Sequence, residues 1–302
     1  MKSEKYILLI VNPISGDSDK TLIIDTVKDE VAKRGFGFQL YETSGENDKE
    51  KIFSLVKELN STRILVAGGD GTISLVAECV LDKDIVVGII PAGSANGIAV
   101  NFNLPEDLTD QLNIAFSDCT LKLDVLFINN KLCLHIADLG INAELIKNYE
   151  NSGIRGKLGY FLQSIPTLIN SEAPFHFEVE TEDGITNESG VLLAIANANK
   201  FGTGATINPN GKMNDGKFEI LIFKNLNFIE IFKTINEQPE MSSDFVQVIS
   251  TSSAEIRCKT NVPFQIDGEF LGEIKEASVN LRKETLLVAV PEMFCKLHTI
   301  TT

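Results

Sequence analysis

The sequence predicts an α/β domain followed by a β-rich domain, and three observations lead to this fold class. Up to about residue 124, short apolar runs alternate with amphipathic segments and glycine-bearing loops, which is typical of a mostly parallel sheet covered by helices. Beyond that point the segments are short, strand-like and bounded by turn residues, at spacings that favour a sandwich or barrel. The length of 302 residues also exceeds the usual size of one hydrophobic core. We therefore expect domains at 1–124 and 125–290, with a tail at 291–302 that packs back on the first domain.

The first half is predicted to begin with a buried strand. Tyr6–Val11 is a continuous apolar run, as expected for a strand covered on both faces, and it stops at the turn-forming Asn12-Pro13. Apolar residues then recur at helical spacing up to Gly35, which can end a helix. The other elements predicted in this half are strands at 36–42, 63–67 and 84–90 and helices at 22–34, 48–59 and 74–81.

The second half is predicted to be mainly β structure. Its segments alternate or run apolar over four to eight residues and are separated by turn residues. Two segments, 156–169 and 227–236, have helical spacing instead. The predicted strands are at 124–129, 131–138, 175–181, 191–197, 218–223, 254–258, 264–266, 277–282 and 285–290.

Composition excludes several classes of protein. The chain has 27 Lys and Arg against 42 Asp and Glu, a net charge of −15, which argues against broad binding of nucleic acid or anionic lipid. No uncharged apolar run reaches the roughly 18 residues that a membrane span needs. The five cysteines are an odd number without metal-type spacing, so we expect reduced, mostly buried thiols in a cytoplasmic protein. Because the net charge is negative, any anionic ligand must be bound by a local site.

The loop Gly68-Gly69-Asp70-Gly71-Thr72 follows a predicted buried strand and begins a helix. Three positions without side chains let backbone amides approach a phosphate closely, and the helix offers its positive end to the anion. A carboxylate beside a phosphate repels it unless a divalent cation lies between them, so Asp70 indicates a metal-assisted nucleotide site. The alternative is a structural helix-entry turn that is capped by Asp70 or Thr72.

Two further loops follow buried strands in the same half. Asn12-Pro13-Ile14-Ser15-Gly16 comes after the first strand, and Pro91 to Asn96 comes after the strand at 84–90. Each is ambiguous alone, since Ser15 or Asn96 could simply cap a turn or a helix. In an open parallel sheet, however, loops at the carboxyl ends of strands line one crevice, and Thr43 ends another strand there. The common placement favours a nucleotide site.

These motifs resemble those of the diacylglycerol and sphingosine kinase superfamily of lipid kinases. The resemblance rests on their order and spacing over nearly the whole chain, together with Asp267-Gly268-Glu269 in the second half. It implies an amino-terminal α/β domain with an NAD kinase-like parallel sheet that binds ATP, and a β-sandwich domain that carries part of the lipid site. It also implies lipid substrate taken from the membrane surface, a cytoplasmic enzyme that contacts the membrane transiently, no nucleic acid partner, and a homodimer.

By motif position, the resemblance assigns roles to individual residues. Asp70 would organise Mg²⁺ and the phosphates, and Glu269 would be the catalytic base that takes the proton from the lipid hydroxyl. Without the other motifs, Asp267-Gly268-Glu269 would be interpreted as a hairpin turn with solvated acids. The residues that the resemblance places against the nucleotide are Asn12, Ser15, Gly16, Thr43, Gly68, Gly69, Gly71, Thr72, Ser74, Ser94 and Asn96.

The resemblance also implies a structural magnesium site in the second half. Asp215 lies in an Asp-Gly turn, which on its own indicates only a hairpin. In bacterial members of the family the matching aspartate holds Mg²⁺ with nearby main-chain carbonyls, here those of Lys212 and Lys217. Ligation by oxygen atoms alone suits this hard ion.

The third loop departs from the pattern of the bacterial diacylglycerol kinases. They carry a threonine, an Asn-Asp pair and an arginine, whereas this chain has Ser94, Asn96-Gly97 and Asn101. Ser94-Ala95-Asn96 resembles the sphingosine kinase loop instead. Lys20 is the cation nearest to the first loop, so we expect Mg²⁺ and backbone amides to neutralise most of the γ-phosphate charge.

Three hypotheses follow. The first is an ATP- and Mg²⁺-dependent kinase that phosphorylates a hydroxyl of diacylglycerol, a sphingoid base or a related lipid. Lipid access is expected near Phe161, Leu162, Ile165 and Leu168, which could equally be a core-facing helix stripe. The second is an NAD kinase, which shares the G-G-D-G loop and a β-rich second domain. The third is a nucleotide- or lipid-binding protein that has lost catalysis, suggested by Gly97 and Asn101.

Overall fold

The computed structural model describes residues 6–16, 18–94, 96–143, 174–200, 206–225 and 241–298. The chain divides into two compact units. The first consists of Met1–Leu123 with Glu284–Thr302, and the second of Asp124–Lys283. The predicted helices at 156–169 and 227–236, and the apolar stripe at 161–168, lie outside the described residues.

The first unit is built on a parallel sheet. Its strands are β1 (Tyr6–Val11), β2 (Gly37–Glu42), β3 (Arg63–Gly68), β4 (Val86–Pro91) and the final residues of β14 (Glu269–Ala289). They lie in the order β2-β1-β3-β4-β14, and each neighbouring pair is parallel. Because the chain leaves β1 toward β2 on one side and reaches β3 on the other, the order changes direction between β1 and β3, where ligand sites of such sheets lie.

Helices cover this sheet, and their apolar spacing explains where they form. They are α1 (Lys20–Lys33), α2 (Asp48–Leu59), α3 (Asp70–Val80), α4 (Gly97–Asn101), α5 (Leu108–Ala115) and α6 (Glu292–His298). In α1 the Asp19 carboxylate caps the first turn by accepting from the Thr21 and Leu22 amides, while Ile23, Val27 and Val31 are buried. These residues pack in one apolar core with β1 and β3. The prediction of a helix-covered parallel sheet is confirmed.

The second unit is antiparallel β structure. Its strands are β5 (Thr120–Ile128), β6 (Lys131–Cys133), β7 (Ile136–Gly140), β8 (Phe175–Thr181), β9 (Gly184–Gly190), β10 (Leu192–Ala196), β11 (Phe218–Phe223), β12 (Val246–Thr251), β13 (Ser253–Ile266) and β14. They pair in the order β12-β11-β10-β7-β13-β14, with β8 on β13 and β9 on β8. Inward side chains of these strands form one apolar core that includes Phe177, Phe218 and Phe264.

Several predicted element bounds were wrong for a common reason. The separate strands predicted at 254–258 and 264–266 are parts of one strand, β13, whose pairing with β14 shifts register between Arg257 and Val262. The strands predicted at 277–282 and 285–290 belong to β14, which continues through Glu284 at a φ of 52°. Irregularities within a long strand resemble turns in the sequence pattern. α5, β9, β12 and α6 were not predicted.

The expectation of five reduced thiols was wrong for two cysteines. Cys119 and Cys295 form a disulfide across 176 residues of sequence, while Cys79, Cys133 and Cys258 are free and buried. The Val290 amide donates to the Cys119 carbonyl at 3.1 Å, so the end of β14 brings the following residues next to Cys119. Counting cysteines could not reveal this proximity.

In the described part of the chain, no helix combines the length and apolarity required to span a membrane.

Candidate functional site

Four loops of the first unit emerge at the carboxyl edge of its parallel sheet. Backbone hydrogen bonds that extend the strand ladders place them side by side. The Asn12 amide donates to the Ala67 carbonyl at 3.0 Å, the Thr43 amide to the Val11 carbonyl at 2.8 Å, and the Ala92 amide to the Gly68 carbonyl at 3.0 Å. The loops singled out in the sequence therefore form one surface.

Glycine residues, which have no side chain, allow these loops to contact one another. A Cβ atom on Gly93 would overlap the Gly69 Cα, and a Cβ on Gly69 would lie 3.2 Å from the Gly93 Cα. A Cβ on Gly16, whose φ is +53°, would lie 2.7 Å from the Ala92 carbonyl oxygen. Only glycine fits this packing of backbone against backbone. Backbone groups of the first, second and third loops are consequently brought together at the surface.

Ser15 and Lys20 connect the first loop to the third. The Ser15 hydroxyl lies 3.0 Å from the Asn12 carbonyl oxygen and 3.1 Å from that of Ala92, both of which can accept its proton. The Lys20 ammonium donates to the carbonyls of Ser15 at 2.6 Å and Ala92 at 3.1 Å. Lys20 thus lies at the first loop, as the sequence predicted. In the first loop, just before Ser15, Ile14 is 90% exposed.

Asp70 is the first residue of α3, and its carboxylate caps α4. Its Oδ2 accepts from the Gly97 amide at 2.6 Å and its Oδ1 from the Ile98 amide at 3.0 Å. Because Gly97 lacks a side chain, nothing on that residue competes with Asp70 for these amides. Each carboxylate oxygen keeps a further lone pair for another donor or a cation. The sequence alternative, in which Asp70 or Thr72 caps the helix that this loop begins, was wrong for Asp70: the N-cap of α3 is Gly69, and Asp70 binds the amides of α4 instead.

Asn96 and Ser94 occupy different environments in the third loop. Asn96 has a φ of 52°, its side-chain oxygen accepts from the Gly93 amide, and its side-chain nitrogen donates to the Gly93 carbonyl, both at 2.8 Å. Asn96 thus closes the loop on itself. Ser94, in contrast, is exposed. Among the other predicted contacts, Gly71 is exposed, Thr43 and Ser74 are half-buried, and Thr72 is buried against Gly68.

Asp48 fixes the loop after β2, a role that its sequence position did not reveal. It accepts from the Ser44 amide at 2.9 Å, the Gly45 amide at 2.7 Å and the Tyr41 hydroxyl at 2.6 Å. Burial acts to raise the pKa of Asp48, but these hydrogen bonds together lower it. Burial, followed by the neighbouring Asp48, raises the pKa of Tyr41 to about 12. Thr43, between Tyr41 and Ser44, is held in place by this network.

In the second unit, Asp267 and Gly268 form the turn between β13 and β14. Their φ values are 48° and 89°, and Ile266 pairs with Glu269 across the turn, as in a two-residue hairpin of the I′ type. The Asp267 carboxylate accepts from the amides of Leu134, His135 and Ile136 at 2.8, 2.9 and 3.1 Å. Glu269 is exposed. The Glu269 carboxylate is therefore open to solvent, whereas the Asp267 carboxylate binds backbone amides.

The Asp215 turn is supported in a similar way. The Asp124 carboxylate, which is 1% exposed, accepts from the Gly216 amide at 2.6 Å. Asp215 itself is exposed and accepts from the Lys217 amide at 3.1 Å. Within the described ranges, no group of three or more His, Cys, Asp or Glu side chains could hold a metal. The predicted donors, one carboxylate with the carbonyls of Lys212 and Lys217, are all oxygen atoms and fit Mg²⁺ in kind.

Comparisons with known proteins agree with this architecture. Residues 6–128 match the family described as "Diacylglycerol kinase catalytic domain", and residues 136–290 match the "YegS C-terminal NAD kinase beta sandwich-like domain". A "Probable lipid kinase YegS-like" of Chromohalobacter salexigens is 24% identical over 278 residues, which cover 86% of this chain and 89% of the relative. A "Diacylglycerol kinase" of Staphylococcus haemolyticus is 23% identical and covers 91% of this chain and 85% of its own length.

A solved structure extends the likeness to the fold. The crystal structure of a diacylglycerol kinase from Bacillus anthracis superposes with a TM-score of 0.76 at 18% identity, over 97% of this chain and 99% of that one. The second family match covers more than half of the chain by itself. The chain therefore belongs to the lipid kinase family that joins a diacylglycerol kinase catalytic domain to a YegS-type, NAD kinase β sandwich-like domain.

Proposed function

We propose that the protein is an ATP- and Mg²⁺-dependent lipid kinase that transfers the γ-phosphate to a hydroxyl of diacylglycerol, a sphingoid base or a related lipid. The observation that carries this proposal is the contact of three glycine-bearing loops at the carboxyl edge of β1, β3 and β4. Family membership supports a kinase, and the name of the staphylococcal relative supports diacylglycerol as the first lipid to test.

The first unit would bind the nucleotide through backbone more than through charge. The amino end of α3 directs its first amides toward the loop surface, where they can donate to phosphate oxygens. The exposed Ser94 hydroxyl and the half-buried Thr43 hydroxyl are further donors at the same edge. The residues assigned to nucleotide binding are Asn12, Ser15, Gly16, Thr43, Gly68, Gly69, Gly71, Thr72, Ser74, Ser94 and Asn96.

Asp70 fits a cation-organising role by the chemistry of its donors. Its two oxygens are oriented by the Gly97 and Ile98 amides, and their remaining lone pairs are hard-oxygen donors of the type that Mg²⁺ prefers. Bound Mg²⁺ would offset the negative charge of Asp70 and of the phosphates. Asp215, with the carbonyls of Lys212 and Lys217, would hold a second, structural ion.

Glu269 would act as the catalytic base. It directly follows a turn whose backbone is fixed by Asp267, and its own carboxylate is exposed. An ionised carboxylate can accept the proton of a lipid hydroxyl as that oxygen attacks the γ-phosphorus. The enzyme would otherwise contribute positioning, which is the main requirement of in-line phosphoryl transfer.

Two other functions each have one supporting observation. An NAD kinase is supported by the description of the second matched domain as NAD kinase β sandwich-like. A binding protein without catalysis is supported by Gly97, since the Asp70 carboxylate already binds two amides at this position. Both are decided by a transfer assay.

The test is transfer of labelled γ-phosphate from ATP to diacylglycerol, monoacylglycerol, sphingosine, ceramide or NAD, with and without Mg²⁺. Glu269→Gln is compared with Glu276→Gln, which changes another exposed glutamate of β14. We expect one lipid to be labelled, only with Mg²⁺, by the wild type and Glu276→Gln but about 100-fold or more slowly by Glu269→Gln.

Other outcomes contradict the proposal in distinct ways. Label on NAD would identify an NAD kinase. Magnesium-dependent ATP binding without any labelled acceptor would indicate a binding protein. Equal loss of activity in both glutamine variants would remove Glu269 from the role of base.

The lipid would be taken from a membrane surface by a protein that is otherwise cytoplasmic, and the active species would be a homodimer. Co-sedimentation with vesicles of phosphatidylcholine and diacylglycerol, and sedimentation velocity without lipid, test these two statements. A single monomeric species together with full activity would contradict the dimer.

A further inference from the structure

A carboxylate is buried in the apolar core of the second unit without a cationic partner among the residues described. Asp138, in β7, is 0% exposed. Its Oδ2 accepts from the side-chain amides of Gln265 at 2.5 Å and Asn142 at 2.6 Å, while its Oδ1 has no hydrogen-bond partner among the described residues. Burial raises the pKa of Asp138 to about 7, although the Asn142, Gln265 and Ala143 donors act to lower it. A buried carboxylate costs stability unless it is well satisfied, so packing alone does not explain it.

Gln265 links this carboxylate to the turn that carries Glu269. It lies opposite Asp138 in the pairing of β13 with β7 and is 2% exposed. Its side-chain nitrogen donates to Asp138, and its side-chain oxygen accepts from the Gly268 amide at 2.7 Å. Both ends of one amide are therefore used, and the direction of each hydrogen bond depends on the other.

Asp138 holds one end of this amide and the Gly268 amide holds the other. The Oδ2 atom of Asp138 accepts from the side-chain nitrogens of Gln265 and Asn142, and the Gln265 oxygen accepts from Gly268. With an apolar residue at 138, the side-chain nitrogen of Gln265 would lose its acceptor, and only the hydrogen bond from the Gly268 amide would hold this side chain. The turn is anchored at Asp267 by three amides and at Gly268 by Gln265.

We propose that Asp138 and Gln265 form a positioning pair that fixes the Gly268 amide and thereby the direction in which Glu269 leaves the turn. Neither residue is a catalytic residue, because both are buried and act through the backbone. This inference rests on the proposed function for its effect on catalysis, but the effect on the turn does not depend on any activity.

The experiment compares four variants. Asp138→Leu and Gln265→Met remove the pair with side chains of similar size. Asp138→Asn is the conservative variant, since its amide oxygen can accept from both Gln265 and Asn142. Asn142→Ala is the matched control, because it removes the other donor to the same carboxylate without contacting the turn. Urea unfolding shows which variants are folded under the assay conditions.

The first readout is hydrogen exchange of the Gly268 amide by NMR, which requires no substrate. We expect Asp138→Leu and Gln265→Met to exchange this proton about tenfold faster than the wild type, and Asp138→Asn and Asn142→Ala to leave it within about threefold. Unchanged exchange in folded Gln265→Met would overturn the proposal. If Asp138→Leu fails to fold, Gln265→Met still decides.

The second readout is kcat and KM with the lipid found in the transfer assay. We expect kcat of Asp138→Leu and Gln265→Met to fall about 10- to 100-fold with the KM for ATP unchanged, and Asp138→Asn to restore kcat to within about threefold of the wild type. A purely structural role would lower stability without this separation of kcat from KM. Faster exchange at Gly268 with unchanged kcat would show that the pair orders the turn without serving catalysis, and would overturn the positioning role. An inactive wild type contradicts the proposed function alone, since the exchange experiment remains valid.

Discussion

The two units use acidic residues and backbone in opposite ways. In the first unit the site surface is mainly backbone, brought together by Gly16, Gly69 and Gly93, and one carboxylate, Asp70, is held by amides at its rim. In the second unit, the half-buried Asp267 accepts from backbone amides and the buried Asp138 accepts from side-chain amides, while Glu269, which follows the Asp267 turn, is exposed. The unit proposed to bind the nucleotide therefore depends on glycine residues without side chains, and the unit that carries the proposed base depends on hydrogen-bonded acids.

The substitution Gly93→Ala should disrupt the backbone contact between Gly69 and Gly93 in the first unit. In Gly93→Ala the new Cβ would overlap the Gly69 Cα, and neither backbone can move without disturbing β3 or β4. We expect affinity for ATP to fall about 1000-fold, measured by isothermal titration calorimetry. The control is Gly45→Asn, at a loop glycine with φ +82° and open space, where asparagine is tolerated. Tight ATP binding by Gly93→Ala would contradict the contact.

The next effect concerns an acid of the second unit. Asp267→Asn keeps a residue that tolerates a φ of 48° but presents an NH₂ group to backbone donors, so at least one of three amides loses its acceptor. We expect the free energy of unfolding to fall by about 2 kcal/mol in urea titrations. Asp183→Asn, at an exposed acid between β8 and β9, should change it by less than about 0.5 kcal/mol. An equal loss of unfolding free energy in the two variants would contradict the distinction between carboxylates that bind backbone amides and carboxylates that are exposed.

How far the sequence predicts these features depends on whether they are local. The bounds of β1 and α2 were predicted correctly, because the apolar run and the amphipathic period are properties of adjacent residues. The loops at the sheet edge were predicted to lie together because parallel topology forces this arrangement. The roles assigned to their individual residues stay predictions.

Features that depend on register or on distant segments could not be predicted. Asp138 stands in the apolar stretch Ile136–Gly140, and its function as an acceptor follows only from its position opposite Gln265. The Cys119–Cys295 disulfide likewise depends on the fold of residues far apart in the chain. Asp124 was interpreted as the start of a strand, and the sequence pattern gave no indication of its hydrogen bond with the Gly216 amide.

The stability of the second unit should depend on pH through the buried carboxyl of Asp138. The pKa of Asp138 is about 7 in the folded protein, against an ordinary value of 3.8, so the folded state binds this proton more tightly than the unfolded state. Its contribution to stability is therefore fully present below pH 4 and is lost as pH rises to 7, by about 1.4 kcal/mol per pH unit. Cys133, another titratable group near Asp138, stays neutral in this window because burial raises its pKa well above 9.

The measurement is urea unfolding of the wild type and Asp138→Asn from pH 4.5 to 7.5. The difference between the two proteins isolates Asp138, since other groups titrate equally in both. We expect Asp138→Asn to gain stability relative to the wild type steadily from pH 4.5 to about pH 7, and the difference to level off above that pH. A difference that is independent of pH would show that Asp138 is not a buried, proton-binding carboxyl.

The smallest expected effect separates two serines of the first unit. The Ser15 hydroxyl lies within hydrogen-bond distance of the Asn12 and Ala92 carbonyls, whereas Ser94 is exposed. Ser15→Ala should therefore lower the free energy of unfolding by about 1 kcal/mol, while Ser94→Ala should leave it within about 0.5 kcal/mol. If Ser94 binds the nucleotide, Ser94→Ala should instead weaken ATP affinity about fivefold. A loss of stability in Ser94→Ala with unchanged affinity would mean that both serines serve the loops, and that the nucleotide site is formed by backbone alone at this position.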